Sequence, residues 1–544
     1  MNRQQMLQAL EENGVNQWDL CIIGGGATGL GVAVDAASRG YRTLLLEQYD
    51  FAKGTSSRAT KLVHGGVRYL QQGNIKLVTE ALHERGVLRK NAPHLVKNQS
   101  FIVPNYKWWE GPYYGIGLKV YDWMAGSLGL GPSRILSREE TLELAPTLDA
   151  EGLRGGVLYH DGQFDDARLA INLAQTAAEQ GGILLNYCKV DGLIKNPGEG
   201  VHPVRGVRAT DTLSGRSYEI YAKAVINATG VFTDSILKMD DAAAEPVIAP
   251  SQGVHIMLDK SFLPGEAAIM VPHTDDGRVL FAVPWHDKII IGTTDTPVKE
   301  ISIEPRALPE EIDFILEQIG RYLVKPPLRS DIRSVYAGLR PLVKSSSRRT
   351  AELARDHLIL VADSGLISIT GGKWTTYRRM AEDTVNTAIA KAGLLNRPCV
   401  TTSLRIHGAG ATGAEAAPSP PTDFTAPLYY YGSDKPAVLT LAKEDPALGA
   451  PLHAALPYIR AEIVWAAREE CCMTVEDALS RRTRALLLDA QAAMECAPDV
   501  AALLAKELGR DAHWEREQVA AFRKVAEGYL VWEPTTSTSK PILK

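Results

Sequence analysis

The chain has 544 residues, of which 45% are hydrophobic and 23% charged, as in ordinary folded soluble proteins. A chain of this length is expected to form two or three domains. The formal net charge of −5 gives no support for nucleic-acid binding, because such proteins usually carry a strong basic excess. We find no uninterrupted apolar run of about 18 residues, and the polar N-terminus lacks the apolar core of a secretory signal. Any membrane association is therefore expected to be peripheral.

The six cysteines do not indicate a metal site or a disulfide framework. They form no C-x-x-C pair, and no Cys/His cluster has the spacing of zinc ligands. Cys471 and Cys472 are neighbours in the chain, and adjacent cysteines rarely pair with each other. We therefore expect reduced thiols, no bound metal and a cytoplasmic protein.

The N-terminal part of the chain has the pattern of a βαβ unit. After a short helix near residues 5–10, the apolar run 19–24 ends in glycines, as a buried parallel strand does. A helix rich in Ala and Val covers about 28–39 and stops at Gly40. A second apolar strand over 42–47 completes the unit.

Later segments predict an added antiparallel sheet and a helical domain. Helices are predicted over 75–95 and 167–179, and strands over 222–228, 253–258, 279–283, 289–291 and 357–361. The stretch 401–435 is rich in Gly and Pro and is predicted to be a linker. Residues 436–530 are predicted to form a helical domain with an N-terminal cap at Thr474, and 531–544 a flexible tail.

Three glycines after the first strand match a phosphate-binding pattern. Gly24, Gly26 and Gly29 fit G-x-G-x-x-G between a predicted strand and a predicted helix. The first permits the turn, the second lets a pyrophosphate approach the backbone, and the third lets helix and strand pack closely. Thr28 lies in the same turn, whose free N–H groups suit phosphates. Glu47 ends the second strand, where a carboxylate binds ribose hydroxyls.

The glycine motif alone does not distinguish NAD from FAD, but two later segments favour FAD. The strand over 224–230 ends in a small-residue turn, where the backbone can approach the same dinucleotide. Segment 364–376 places two glycines and then hydroxyls at a predicted helix start, which suits the pyrimidine end of a flavin. The predicted contacts are Ala228, Thr229, Gly230, Gly371, Gly372, Trp374, Thr375 and Thr376. A nicotinamide-only enzyme needs neither segment.

Several long motifs resemble those of FAD-dependent glycerol-3-phosphate dehydrogenases. They are residues 51–70, 81–85, 292–296, 335–342 and 371–378. The resemblance covers about 18–395 and continues in the helical domain through 474–484. The aromatic run 106–114 is similar to the mitochondrial-type branch of the family. Because the sequence contains no EF-hand loop, we do not expect control by calcium.

The resemblance implies a flavoprotein of α/β (α+β) class. A Rossmann-like FAD-binding domain over 1–400 would contain an interleaved antiparallel-sheet substrate domain, with parts at about 76–150 and 245–335. The C-terminal helical domain would follow. The loop after the second strand is expected to contact the flavin through Thr55, Ser56, Ser57, His64, Gly65 and Gly66.

The resemblance also implies a reaction. The family oxidises sn-glycerol 3-phosphate to dihydroxyacetone phosphate, with a hydride passing from C2 to flavin N5 and the electrons passing to a membrane quinone. Peripheral attachment to the cytoplasmic face of the inner membrane fits this function, and a homodimer is a candidate assembly. Related glycerol-3-phosphate oxidases use oxygen and release hydrogen peroxide. An amine or amino-acid oxidase is a third class, and it would not need several cations around a phosphate. A nucleotide-binding regulatory protein without turnover is a fourth, and a colourless chain or a flavin that is never reduced would support it.

Substrate binding is expected to involve cations in the matched motifs. A phosphate monoester is nearly dianionic at neutral pH, and the arginine fork can bind two of its oxygens at once. Arg68, Arg340 and Lys373 are the candidate cations, and Tyr69 is a candidate hydroxyl donor. Arg58 and Lys61 lie in the same loop but are expected to contact flavin or solvent.

Oxidation of the alcohol also requires a proton acceptor whose pKa suits the working pH. His64, which precedes two glycines, and His255, in a predicted strand, are both candidates, and the sequence does not choose between them. Lys373 is expected to stabilise a developing alkoxide or the reduced flavin. Asp165 and Asp166 are expected to interact with the N-terminus of a helix.

Two surfaces are candidates for membrane contact. The aromatic residues Trp108, Trp109, Tyr113 and Tyr114 suit a water–lipid interface, but packing into the substrate domain or a subunit contact is an equal alternative. Three C-terminal arginines, Arg481, Arg482 and Arg484, fit either anionic headgroups or a solvated or ion-paired face.

Overall fold

A computed structural model describes residues 1–12, 18–66, 74–196, 202–344, 357–410 and 422–531. Arg68 and Tyr69, as well as residues 532–544 of the predicted tail, lie outside these ranges. All six cysteines are free thiols, and most of them are buried.

The helices are distributed along the whole chain. They are α1 (Arg3–Glu12), α2 (Ala27–Ser38), α3 (Ile75–Asn91), α4 (Glu110–Ala125), α5 (Arg138–Leu144), α6 (Asp166–Glu179), α7 (Thr233–Asp240), α8 (Pro309–Gly320), α9 (Tyr377–Ala392), α10 (Lys435–Glu444), α11 (Arg460–Glu469), α12 (Val475–Asp477), α13 (Ala485–Leu488), α14 (Ala490–Leu508) and α15 (Ala512–Ala526). Among the described helices, none is both long enough and apolar enough to cross a bilayer.

The strands form two sheets. They are β1 (Trp18–Ile23), β2 (Thr43–Leu46), β3 (Leu62–Val63), β4 (Val96–Asn105), β5 (Arg134–Leu136), β6 (Gly155–Phe164), β7 (Ile183–Leu185), β8 (Cys188–Lys195), β9 (Val204–Asp211), β10 (Ser217–Asn227), β11 (Ile248–Asp259), β12 (Ala268–Val271), β13 (Leu280–Trp285), β14 (Lys288–Gly292), β15 (Thr296–Pro297), β16 (Ser334–Val343), β17 (His357–Val361) and β18 (Ile367–Gly371).

The first sheet contains the predicted βαβ unit. Its order is β17-β18-β10-β1-β2-β7, with β8 and β9 attached to β10, and β1 pairs in parallel with both β10 and β2. Successive residues of β1 point to opposite faces. Leu20 and Ile22 enter a core with α2, α6 and α9, whereas Cys21 and Ile23 enter a second core with α1 and β8–β10. Cover on both faces explains why the strand is continuously apolar.

The second sheet is mainly antiparallel, as predicted for a substrate domain. Its order is β15-β11-β14-β13-β12-β4-β6-β3, with β16 pairing with β11 and β5 with β6. The sheet includes β3, β6 and most of β16, which lie outside the predicted ranges 76–150 and 245–335. These strands pair with residues distant in sequence, so local patterns do not assign them to either sheet.

The C-terminal helices share a continuous core with the first sheet. At their contact with the N-terminal part, Arg481 and Arg482 are buried and both bind the buried carboxylate of Asp50. The headgroup alternative for these arginines is therefore wrong, and the ion-paired alternative is correct. The predicted cap is confirmed, since the Thr474 hydroxyl accepts the Asp477 N–H at 3.1 Å.

A second buried ionic cluster holds the loop before β3. Asp166, at the start of α6, accepts from Lys61 Nζ at 2.7 Å and from Arg484 at 3.0 Å. Arg484 also donates to the Ser57 carbonyl at 2.8 Å. Burial lowers the pKa of Lys61 to about 8, although Asp166 opposes the shift. Asp165 caps α6 by accepting the Arg168 N–H, as expected for a helix N-terminus.

The described flanks of the predicted linker pack against the protein. Ile406 and Tyr431 are buried, and between them His407 bridges Glu179 on α6 and Asp434 before α10. Burial alone would lower the pKa of His407, but its bonds to Asp434 and Glu179 outweigh burial and raise the pKa to about 9.

We expect this contact to stabilise the fold in a pH-dependent way. The folded pKa of about 9 lies above the unfolded value of about 6.5. The stabilisation is thus complete below about pH 6.5 and is lost as pH rises through 9. Urea unfolding should show a lower midpoint for His407→Gln than for the parent at pH 6, with convergence above pH 9.

Exposed His513 on α15 supplies the matched control, His513→Gln. A midpoint difference for His407→Gln that stayed constant from pH 6 to above pH 9 would contradict the charge-based explanation.

Candidate active site

A cavity of about 530 Å³ collects residues from both sheets. Its lining comes from the β1–α2 turn, the loop after β2, the segment after β10, strands β11 and β16, and the segment after β18. Of the predicted cofactor-binding residues, the cavity is lined by Gly24, Gly26, Thr28, Glu47, Thr55, Ser56, His64, Ala228, Thr229, Gly230, Gly371, Gly372, Trp374 and Thr375. Segments more than 300 residues apart in the sequence therefore meet around one space.

The glycine turn has the geometry that its residues require. Gly24 adopts a φ of +107°, and a Cβ there would lie 2.7 Å from the Ala228 carbonyl oxygen. A Cβ at Gly29 would clash with the carbonyl oxygen of Gly24. At the start of α2, the Ala27 N–H donates to Ser56 Oγ at 2.8 Å. The first turn of α2 thus opens on the cavity with the loop after β2 beside it.

Glu47 lies at the same edge of the sheet and is held by the backbone. Its carboxylate accepts the Gly25 N–H at 2.6 Å and the Tyr49 N–H at 2.8 Å. Burial raises the pKa of Glu47, although both donors oppose the shift. Each carboxylate oxygen keeps a further lone-pair site for a ribose hydroxyl. The carboxylate, the glycine turn and the helix N-terminus together fit a dinucleotide.

Trp374 connects the two halves of this cofactor site. Its indole N–H donates to the Ser56 carbonyl at 2.9 Å, and its ring packs edge-on against Phe164. The Thr375 hydroxyl donates to the carbonyl of His64 at 3.4 Å. The segment after β18 is therefore attached to both ends of the loop that contains Ser56 and His64.

Other predicted cofactor residues lie behind the lining. The backbone carbonyl of Ser57 accepts from Lys61 and Arg484, and the Gly65 N–H donates to the Tyr121 hydroxyl. Gly29, Gly66 and Thr376 are likewise not part of the lining. In this structure, Ser57 and Gly65 therefore contact residues that support the site rather than the cavity itself.

Arg340 reaches the cavity from β16 and is held by a loop that follows β14. It binds Asp295 at 3.1 Å, the Thr293 hydroxyl at 3.1 Å and the Thr294 carbonyl at 2.9 Å. Gly253 on β11 leaves space for the guanidinium, since a Cβ there would clash with it. The motif 292–296 was part of the family resemblance, yet the sequence did not assign it this supporting role.

His255 lies on β11 in the same cavity lining. Its Nε2 is 2.8 Å from the hydroxyl of Thr60, a residue that the sequence did not single out, and its ring stacks on Tyr336. Burial, assisted by the charges of Arg340 and Lys61, holds the pKa of His255 well below its usual range. The imidazole is therefore neutral near pH 7.

The remaining predicted groups separate into three sets. Lys373 and His64 line the cavity, whereas Arg68 and Tyr69 lie outside the described residues. Arg58 also lines it and forms a 2.6 Å ion pair with Glu304. For Lys61 the expected contact with flavin or solvent is wrong, because the side chain is fully buried against Asp166 and is not part of the cavity lining. Two of the three predicted phosphate cations thus share one cavity.

Comparison with known proteins covers nearly the whole chain. Residues 19–378 match the family model described as FAD dependent oxidoreductase, and 399–517 match that described as the C-terminal domain of alpha-glycerophosphate oxidase. The chain is 41% identical to the mitochondrial glycerol-3-phosphate dehydrogenases of Macaca fascicularis and Homo sapiens, over 95% of this chain and 74% of each relative. The X-ray structure of a Bacillus halodurans glycerol-3-phosphate dehydrogenase complexed with FAD superimposes with a TM-score of 0.78. That match has 31% identity and covers 98% of this chain and 99% of the other.

The glycine turn makes a testable prediction about cofactor retention. In Gly26→Val, Cβ would lie 3.0 Å from Ser56 Oγ, and the branched carbons would occupy the space beside the first turn of α2. We expect the purified variant to retain less than about a tenth of the parent flavin, since a loss of about 1.4 kcal/mol in affinity already means tenfold. The ratio of flavin to protein absorbance measures this.

The matched control is Gly192→Val on β8, because a Cβ at that position meets nothing within 4 Å, and it should keep the flavin content of the parent. A normal flavin content in Gly26→Val would exclude close approach of the cofactor at this turn.

Proposed function

Because the chain belongs to the family of FAD-dependent glycerol-3-phosphate dehydrogenases, we propose that it oxidises sn-glycerol 3-phosphate to dihydroxyacetone phosphate and passes the electrons to a membrane quinone. The protein is an FAD-dependent oxidoreductase. The observation that carries the substrate proposal is the meeting of Arg340, Lys373 and a neutral His255 in the cavity that fits the cofactor.

The cations would bind the phosphate of the substrate. The Arg340 guanidinium donates to two neutral acceptors, the Thr293 hydroxyl and the Thr294 carbonyl. It also donates to the charged carboxylate of Asp295. A dianionic phosphate can replace these neutral acceptors, because it adds attraction between opposite charges and can accept two parallel bonds from the guanidinium. Asp295 would keep the guanidinium in place during the exchange. Lys373 would supply a second cation, and Arg68 remains a predicted third.

The neutral histidine would accept the hydroxyl proton. The low pKa of His255 comes from burial and then from the nearby charges of Arg340 and Lys61. A dianion bound at Arg340 would offset that positive charge and raise the proton affinity of the ring when substrate is present. The glycine turn and Glu47 would hold FAD in this cavity, where the flavin would supply the acceptor for the hydride from the alcohol carbon. His64 lines the same cavity and remains the alternative proton acceptor.

An exposed apolar stripe on α4 supports peripheral binding to a membrane. Its members share one helical face, spaced by three or four residues: Trp109, Tyr113, Ile116, Val120 and Trp123. Trp123 is 83% exposed and the preceding Trp108 is 77% exposed. Lys107 lies over the Trp109 ring, so a cation accompanies the aromatics. Apolar faces of this kind insert into the headgroup boundary.

Tyr114 does not belong to this stripe. It is buried, and its hydroxyl lies 2.9 Å from His273 Nε2. For this residue the packing alternative is correct and the lipid alternative is wrong.

A glycerol-3-phosphate oxidase that uses oxygen is the second candidate function. It is favoured by the match of residues 399–517 to the C-terminal domain of alpha-glycerophosphate oxidase. The two functions share the reductive half-reaction and differ only in the electron acceptor.

The central test is anaerobic mixing of the yellow holoenzyme with sn-glycerol 3-phosphate. We expect loss of flavin absorbance, followed by its rapid return on adding a quinone and slow return on adding oxygen. In Arg340→Gln, the concentration for half-maximal bleaching should rise about 10- to 100-fold, as for the loss of about 1.5–3 kcal/mol of charge-assisted bonding. Arg321→Gln, on an exposed ion pair with Asp275, is the control.

Equal bleaching by glycerol and glycerol 3-phosphate would refute the phosphate assignment. Faster return of colour with oxygen than with quinone would favour the oxidase.

The membrane proposal is tested by flotation with vesicles of phosphatidylethanolamine and phosphatidylglycerol. The double variant Ile116→Ser, Trp123→Ser should lose most of the floating fraction, because each change removes about 1.5–3 kcal/mol of apolar burial. Leu395→Ser changes an equally exposed side chain outside α4 and should float like the parent. Unchanged flotation of the double variant, together with a smaller oligomer in sedimentation, would show instead that a second copy covers the stripe.

A further inference from the structure

A second cavity, of about 300 Å³, lies beside the C-terminal end of α4. It is lined by Arg85 from α3, His160 from β6, Tyr121 and Ala125 from α4, and the glycines of the loop 126–131. This cavity is separate from the one that fits the cofactor, since the two share no lining residue.

Two buried nitrogens in this lining have no hydrogen-bond partner within the part of the chain that the structure describes. They are Arg85 Nε and His160 Nδ1. The Arg85 side chain is only 1% exposed, and its other end is engaged by Asp161 at 2.7 Å. Burial lowers the pKa of His160, so its ring is neutral and can donate one N–H. An unsatisfied buried donor costs about 1–3 kcal/mol, so a pair of them suggests a ligand with acceptor oxygens.

The linings of the second cavity and the cofactor cavity are connected through Tyr121 and Gly65. Tyr121 lines the second cavity, and its hydroxyl accepts the Gly65 N–H at 2.8 Å while donating to Asp161 at 2.7 Å. Gly65 directly follows His64, which lines the cofactor cavity. One hydrogen bond, from the Gly65 N–H to the Tyr121 hydroxyl, therefore connects the residue after His64 to the lining of the second cavity.

The second cavity also lies next to the apolar stripe. Asp122 and Ala125 line it, and Trp123 between them belongs to the stripe and is 83% exposed. A ligand that diffuses within a membrane would thus reach the cavity from the face proposed to contact lipid.

We propose that this second cavity binds the headgroup of a membrane quinone and is where the electrons leave the enzyme. The quinone carbonyl oxygens accept hydrogen bonds from Arg85 Nε and His160 Nδ1, the two donors that lack partners. Reduction of the quinone to the quinol takes two electrons and two protons. The hydride removed from the substrate supplies the two electrons and one proton, and the proton lost by the substrate hydroxyl balances the second proton. The net reaction is alcohol plus quinone to ketone plus quinol. This inference rests on the proposed function, which names quinone as acceptor.

The first measurement is binding of decylubiquinone to the oxidised holoenzyme by calorimetry, which requires no turnover. In His160→Leu, the dissociation constant should rise about 5- to 10-fold, as expected for losing about 1–1.4 kcal/mol of hydrogen bonding. Ala125→Leu, which adds volume to the lining without removing a polar group, should weaken binding as well. His83→Leu, on the exposed face of α3, is the matched control and should bind like the parent.

The second measurement is stopped-flow re-oxidation of the substrate-reduced enzyme by decylubiquinone and by phenazine methosulfate, a dye that does not require a headgroup site. The ratio of quinone rate to dye rate should fall about 5- to 10-fold in His160→Leu and stay at the parent value in His83→Leu. Parent-like quinone affinity and rate ratio in both cavity variants would overturn the inference.

Failure of the proposed function gives a different result. If glycerol 3-phosphate does not bleach the parent enzyme, the substrate assignment fails, while the calorimetric experiment still tests the cavity. Competition of inorganic phosphate with decylubiquinone, lost in His160→Leu, would show an anion site and would also overturn the quinone assignment.

Discussion

The position of the loop that lines the cofactor cavity depends on two buried ion pairs of the Asp166 carboxylate. The carboxylate joins Lys61, at the end of the cavity-lining loop, to Arg484 of the C-terminal helices. Removing one member of such a buried set leaves the others unpaired, at a cost of about 3–5 kcal/mol. None of the described C-terminal residues lines the cavity, yet through Arg484 and the Ser57 carbonyl they hold the loop that does. The C-terminal helices thus support the cavity-lining loop without lining the cavity themselves.

Charge is distributed unevenly between the two ends of the cavity. The cofactor end presents backbone N–H groups, a helix N-terminus and the carboxylate of Glu47, which suit phosphates and ribose. The opposite end presents Arg340, supported by Asp295, beside a histidine kept neutral by burial and by neighbouring cations. Because these groups are already oriented by other protein contacts, little reorganisation is needed when a dianionic substrate binds.

In the proposed function, the two cavities would give the two half-reactions separate places. We propose substrate oxidation in the cavity with Arg340 and quinone reduction in the cavity with Arg85 and His160. Tyr121 lines the second cavity and accepts a hydrogen bond from Gly65, the residue after His64 of the first cavity. This arrangement would let the phosphorylated substrate enter from water and the quinone from lipid, so neither has to cross the environment of the other.

The sequence by itself determined the βαβ unit, the glycine turn and Glu47, because these are local patterns of spacing and hydrophobicity whose geometry follows from the backbone. It also indicated Arg340 and His255 through motifs that resemble a known family. Only the tertiary structure decided that Arg481, Arg482 and Arg484 are buried ion-pair partners and that Asp295 and Thr60 support the active-site side chains. The physical reason is that burial and hydrogen bonding depend on partners far away in sequence, which no local pattern specifies.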